Sequence, residues 1–371
     1  MNKKEIVNKE PIEHGGNLRA FALRFQIPEN EILDFSSNIN PLGIPDSVRR
    51  LYLESVKELS RYPDPSSTEL CREITRHFLV QPENVIAGNG SMALLGLAVR
   101  ALAPKRALLI EPCFSEYRRL LEQQSAEVHS ILLRQEEDFN FKLSEIFKAL
   151  PGKDLLIFGH PNNPTGTALG RSEILHLFGE AERQGVFVVV DEAFADWVPE
   201  ISTANEVRKR SNLLVVRSLT KFFALAGIRS GFALGPSRLI SAMKNYQETW
   251  SVNRLAEKLS VAALRDKGFQ DKSREWFQKE SLEFRKALEA LGAFKVYPSL
   301  ASFFLIRLSQ NAESPLDFLG RNGICIRPAQ NFRGLDSFYF RTAVRLSHQN
   351  QFLVQSLQKC LRLPSPFCLT S

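Results

Sequence analysis

The sequence predicts an α/β chain: a large domain on a mostly parallel central sheet covered by helices, followed by a smaller α+β domain. Three observations predict it. Short, β-branched apolar runs recur through the middle of the chain, at 107–110, 155–158, 186–190 and 213–216. Each run is bounded by turn residues and separated from the next by helical stretches, which is the alternation of a buried parallel sheet. After about Trp250 a charged amphipathic stretch over 255–291 reads as one or two helices, and two strand-like runs follow, FFLIRL and FYFRTAV.

These elements divide the chain into an N-terminal segment over 1–35 that packs on the small domain, a large domain over 36–255 and a small domain over 256–371. A length of 371 residues suits that division. A hydrophobic fraction of 44% and a charged fraction of 24% are those of a globular chain. The tail LRLPSPFCLTS is expected to be loosely held. No apolar run approaches the roughly 20 residues of a membrane span. The N-terminus MNKKEIVNKEPIE has no apolar stretch of the kind export requires, so a cytoplasmic location and no membrane partner are expected. The cysteines, at 71, 113, 325, 360 and 368, and the six histidines are scattered, which argues against a disulfide framework and against a metal site. Lysine and arginine number 48 against 41 acids, a net charge of +7. The basic residues are interleaved with acids, so no nucleic-acid partner is expected. A mild excess of positive charge suits an enzyme whose ligands are anionic.

In parallel sheets ligands sit beyond the carboxyl ends of the strands. Here those ends are chemically dense: EPCF follows the first run, GHPNNPTG the second, DEAFADW the third and RSLTK the fourth. In SLTK, Lys221 carries an amine that forms an imine with a bound aldehyde, which is how enzymes hold pyridoxal 5'-phosphate (PLP). Ser218, Thr220 and Arg229 stand close enough in sequence to ligate its phosphate. Asp191 closes the apolar run VFVVV, where a carboxylate is costly without a cation such as a protonated pyridine nitrogen. Asn163 lies in a Pro/Gly turn, with an amide able to donate to a ring oxygen. Gly88, Gly90 and Ser91 stand just before an apolar helical pattern whose first N–H groups make an anion site. Phe114 is placed to stack on a ring. Each feature alone has an ordinary explanation: a surface lysine, a helix-capping aspartate, a plain turn, a core aromatic. Four consecutive strand ends together favour a site.

The order GNGS, EPCF, NNPTG, DEAF, SLTK and GIR resembles that of the fold-type-I PLP enzymes of the aspartate aminotransferase superfamily. Within it, HGGN (14–17), LDFSSNINPLG (33–43), SRYPDP (60–65), TWSVN (249–253) and NFRGLDSFYFRTAVR (331–345) resemble the threonine-phosphate decarboxylases of cobalamin biosynthesis, relatives of the histidinol-phosphate aminotransferases. The resemblance spans about residues 12 to 355. It implies a Schiff base on Lys221, Asp191 on the pyridine nitrogen, Asn163 on the ring oxygen, Phe114 against the ring, and Ser218, Arg229 and the 90–92 backbone on the phosphate. It also implies a homodimer in which Tyr62 reaches the partner subunit's cofactor. Arg341 is implied for a substrate carboxylate, His14 and Arg327 for a substrate phosphate, and Asn38 for a contact near the substrate. Where many aminotransferases of this group read DEAY, this chain has Phe194 and lacks that hydroxyl. The change leans toward decarboxylation. The expected reaction converts L-threonine O-3-phosphate to (R)-1-amino-2-propanol O-2-phosphate, or O-phosphoserine to ethanolamine phosphate; the alternative is a histidinol-phosphate-type aminotransferase.

Overall fold

The computed structural model describes residues 15–309 and 314–362. His14 and the tail beyond 362, both singled out from sequence, lie outside the described residues. The strands, in chain order, are β1 (Leu33–Asp34), β2 (Val85–Gly88), β3 (Arg106–Glu111), β4 (Glu127–Leu132), β5 (Leu155–Gly159), β6 (Phe187–Asp191), β7 (Leu213–Ser218), β8 (Gly231–Leu234), β9 (Phe294–Val296), β10 (Phe303–Leu308), β11 (Ile324–Cys325), β12 (Arg327–Pro328) and β13 (Tyr339–Ala343).

Seven of them form the central sheet in the order β2-β8-β7-β6-β5-β3-β4. The strands from β7 through β4 pair in parallel, and β8 runs antiparallel to both β7 and β2. The inner strands β5 and β7 are buried along their whole length, which is why they read in sequence as unbroken apolar runs. The parallel arrangement brings the ends of β3, β5, β6 and β7 to one edge, so Glu111, Gly159, Asp191 and Ser218 lie in adjacent strands.

A four-stranded antiparallel sheet, in the order β12-β13-β10-β9, forms the second layer. The N-terminal segment forms a separate two-stranded parallel sheet, β1 with β11, and meets β13 where the Ala343 N–H donates to the Phe35 carbonyl. The amphipathic stretch is two helices, Arg254–Arg265 and Lys267–Glu289. Asp266 separates them and accepts from the Phe269 N–H at 3.0 Å, so it ends the first and caps the second. The first of these helices packs on Asp46–Ser55 and Thr68–Phe78, and the second on β9 and the C-terminal helix. Trp197, Phe222, Trp276 and Phe277 interlock where the second helix meets the loop after β6. No helix among the described residues is long and apolar enough to cross a membrane.

One close approach positions the strand ends. The helix Gly90–Leu102 begins directly over β8 at Gly231. A Cβ there would stand 2.6 Å from the Arg217 carbonyl oxygen and 2.9 Å from the Ser91 nitrogen. Both obstacles are backbone, so neither can swing aside. Gly231→Ala is therefore expected to destabilise the protein by about 1–3 kcal/mol. A urea titration reads this as a lower midpoint at unchanged slope; an unchanged midpoint would show that the helix does not rest on β8.

Candidate active site

A cavity of about 230 Å³ opens where the carboxyl edge of the central sheet faces β12 and β13. Its lining contains Asn38, Ser91, Met92, Phe114, Asn163, Asp191, Ser218, Thr220, Lys221, Arg229, Arg327 and Arg341, all named above from sequence. Gly90 stands at the start of the helix behind Ser91. Tyr62 is elsewhere: it is 76% exposed and stacks on Trp250 with ring centroids 4.6 Å apart.

One end of the cavity is built for a phosphate. Gly90 has φ +79°, a conformation that turns the chain into the helix and that side chains resist. The Arg229 guanidinium occupies the space a side chain at 90 would need, with Nη2 2.8 Å from the Cβ position. Ser218 Oγ and Thr220 Oγ1 lie 2.7 Å apart on the opposite side. The TWSVN segment explains how Arg229 is held. Asn253 accepts from the Ala256 N–H and donates to the Ile228 carbonyl at 3.0 Å, fixing the turn that carries Arg229.

Lys221 and Asp191 occupy the middle. The Asn40 N–H donates to the Lys221 carbonyl at 3.0 Å and its side chain donates to the Phe222 carbonyl at 2.8 Å, so LDFSSNINPLG pins the lysine's backbone. Burial, then the Arg341 and Arg229 charges, pull the Lys221 amine down to about 8. Asp191 is 6% exposed, and burial pushes its carboxyl up to about 6 against two donors. These are the Tyr117 hydroxyl at 2.7 Å and the Ala193 N–H at 3.0 Å. The second is a local turn contact and not a helix cap, because the short helix that follows begins at Ala195 with Phe194 at its N-cap. No ion pair to Asp191 occurs among the described residues. A buried carboxylate of this kind calls for a cation from a ligand.

The far end carries two arginines. Arg327 and Arg341 are cross-strand partners in β12 and β13, 3% and 5% exposed. Arg341 donates through Nη2 to the Ser36 carbonyl at 2.8 Å and through Nη1 to Asn163 Oδ1. Among the described residues its Nε has no hydrogen-bond partner, and neither has the buried Asn38 Oδ1. Arg327 donates to Asn331 Oδ1 at 2.9 Å. Phe194 lines the cavity and packs edge-on against Phe303. No cluster able to hold a metal ion exists among the described residues.

The donor set fits PLP: an anion cradle at a helix start, a buried lysine of lowered pKa, a buried carboxylate lacking a cation, and an aromatic wall at Phe114. Sequence reading missed Tyr117, Ser36, Ser37, Gly15 and Phe332, which also line the cavity.

A model of aminotransferases of class I and II matches residues 30–357. The chain belongs to the aminotransferase class I and II family. It is 34% identical over 350 residues to a threonine-phosphate decarboxylase of Salmonella typhimurium, covering 94% of this chain and 96% of that one. It is 31% identical to a bifunctional adenosylcobalamin-biosynthesis protein of Leptospira interrogans, covering 93% of this chain and 40% of that longer protein. Among solved structures, the histidinol-phosphate aminotransferase of Clostridium acetobutylicum superposes with a TM-score of 0.84 at 30% identity, over 88% of this chain and 98% of that one. The fold is therefore that of the fold-type-I PLP enzymes.

The raised pKa of Asp191 makes a signed prediction. Between its unfolded value near 3.8 and its folded value of about 6, the native cofactor-free protein holds a proton that the unfolded chain releases. Native stability from this group is thus present at low pH and lost as pH rises through about 6. Asp191→Asn removes the loss. The stability of the cofactor-free variant relative to wild type is expected to grow by on the order of 3 kcal/mol from pH 4 to pH 7. Urea unfolding at several pH values measures it. PLP affinity is expected to fall in the same variant, so cofactor binding and stability should move in opposite directions.

Proposed function

We propose that this protein is a PLP-dependent decarboxylase that converts L-threonine O-3-phosphate to (R)-1-amino-2-propanol O-2-phosphate and carbon dioxide, in the cytoplasm and as a homodimer. The observation that carries the reading is the pair Arg327 and Arg341, buried side by side in the wall of the Lys221 cavity. Burial and the neighbouring Arg327 charge hold the Arg341 guanidinium down to about 9, and its Nε has no partner among the described residues, so a ligand that brings a second anionic group suits this end of the cavity. A phosphorylated amino acid has a phosphate and a carboxylate; histidinol phosphate has only the phosphate. The similarity to threonine-phosphate decarboxylase supports the same choice, and the cobalamin-biosynthesis relative supports the pathway.

Gly90, Ser91, Met92, Ser218, Thr220 and Arg229 would hold the cofactor phosphate, Lys221 its aldehyde carbon, Asp191 its ring nitrogen, Asn163 its ring oxygen and Phe114 one ring face. Bound there, the cofactor supplies an electron sink for the bond at the substrate Cα that stands perpendicular to its ring. Arg341 receives the substrate carboxylate on the unpartnered Nε, and Arg327, with His14, receives the phosphate. Their placement decides which Cα bond stands perpendicular. Decarboxylation exchanges a Cα–carboxylate bond for a Cα–H bond, so one proton must be delivered. The Lys221 amine, which exchanges protons near pH 8, is the carrier in the cavity. Phe194 offers no hydroxyl toward the cofactor.

The surface around Tyr62 supports the dimer. Leu53, Leu59 and Tyr62, close together in sequence, are each more than 60% exposed, and a partner subunit would cover them. In the dimer Tyr62 would reach the partner subunit's cofactor phosphate.

The purified holoenzyme is expected to release carbon dioxide from L-threonine O-3-phosphate with no 2-oxo acid present, and Lys221→Ala to release none. Strict dependence on 2-oxoglutarate without carbon dioxide would establish the aminotransferase alternative instead. O-phosphoserine in competition sets the preference, where one methyl contact is worth about 1–3 kcal/mol. Sedimentation should give twice the chain mass.

A further inference from the structure

We propose that Asp34 is a positioning residue for the substrate: it locks the Ser36–Ser37 turn, and that turn aims Arg341 and seats the Gly15–Gly16 segment over the cavity. The proposal rests on the reading of Arg341 as the carboxylate-binding residue.

Asp34 ends β1, opposite Cys325 of β11. The next residue is held on both sides: the Phe35 N–H donates to the Cys325 carbonyl, and its own carbonyl accepts from the Ala343 N–H of β13, both at 2.8 Å. The chain must then turn into the cavity, and the Asp34 carboxylate organises that turn. Oδ1 accepts from the Ser36 N–H at 2.8 Å, the Ser36 hydroxyl at 2.6 Å and the Ser37 N–H at 3.2 Å. Oδ2 accepts from the Ser37 hydroxyl. One carboxylate thus takes four donors from two consecutive residues, far more than an ordinary Asx turn requires.

Two outputs leave the turn toward the substrate end. The Ser36 carbonyl accepts from Arg341 Nη2 at 2.8 Å, and this bond, with that of Nη1 to Asn163, leaves Nε as the unpartnered donor of the group. The Ser36 hydroxyl, having donated to Asp34, accepts from the Gly16 N–H at 2.8 Å. Gly15 lies so close that a Cβ on it would stand 2.1 Å from the Ser36 carbonyl oxygen and 3.4 Å from Arg341 Nη2. The glycine segment, the turn and the arginine are one packed unit, with Asp34 beneath it. Asp34 also supplies negative charge where Arg341 stands beside Arg327.

The test is a double-mutant cycle in the holoenzyme with L-threonine O-3-phosphate, together with PLP affinity measured on the cofactor-free protein. Arg341→Gln should raise KM about tenfold or more by itself. Asp34→Ala should also raise KM about tenfold, change kcat less than about threefold, and leave PLP affinity within about twofold. Added to Arg341→Gln, Asp34→Ala should raise KM little further, because the two act through one contact. Asp34→Asn keeps the volume and one acceptor, so it should show a smaller KM rise of the same kind, and it carries the comparison if the alanine variant does not fold. A normal KM in both Asp34 variants, or a rise equally large in the Arg341→Gln background, would overturn the positioning role while leaving Arg341's own role intact. A normal KM in Arg341→Gln would overturn the reading of Arg341, and the proposal with it.

Discussion

Positive charge concentrated in one buried cavity is the constraint on which the site depends. Lys221, Arg229, Arg327 and Arg341 all line one cavity of about 230 Å³, where Asp191 is the single carboxylate among the described lining residues. Burial and mutual repulsion depress both Lys221 and Arg341 below their ordinary values. The helix Gly90–Leu102 adds the positive end of its dipole at the same place. Such an arrangement is costly in the free protein and is relieved by anionic ligands. In the proposed function, a cofactor phosphate at Arg229 and a doubly anionic substrate at Arg327 and Arg341 would supply that relief.

The two sheets divide the work. The central sheet presents Asp191 and Ser218 at adjacent strand ends, with Asn163 and Lys221 in the loops just beyond. The antiparallel sheet presents Arg327 and Arg341 from paired strands. They meet in the hydrogen bond from Arg341 to Asn163 Oδ1, which leaves the Asn163 amide N–H groups for a ring oxygen. A second link joins the β12–β13 loop to the end of β3, where Arg333 approaches Glu111 at 3.4 Å. Asn163 therefore ties the loop after β5 to Arg341 of β13, and a shift in either layer is felt by both.

Much of this was legible in the sequence because buried parallel strands leave unbroken apolar runs. The runs at 155–158, 186–190 and 213–216 became β5, β6 and β7. The four-residue strands β2 and β8 left no comparable trace. Each is short and begins or ends in glycine, and their pairing joins segments about 150 residues apart. Lys221 and Asp191 were legible because polar residues following apolar runs stand out. Tyr117 was not, since a tyrosine on an amphipathic helix looks like core until the helix is docked and its hydroxyl meets Asp191. Asp34 was half legible. Its bonds to Ser36 and Ser37 are local, whereas its link to Arg341 crosses about 300 residues of sequence. Local chemistry shows in a sequence; contacts made by docking two layers do not.

The central claim is that Lys221 holds the cofactor, and its most direct measurement is covalent. Borohydride reduction of the yellow holoenzyme followed by peptide mass mapping should place one pyridoxyl-phosphate adduct on Lys221. An adduct on a different lysine, or a colourless protein that takes up no PLP at all, would contradict the account.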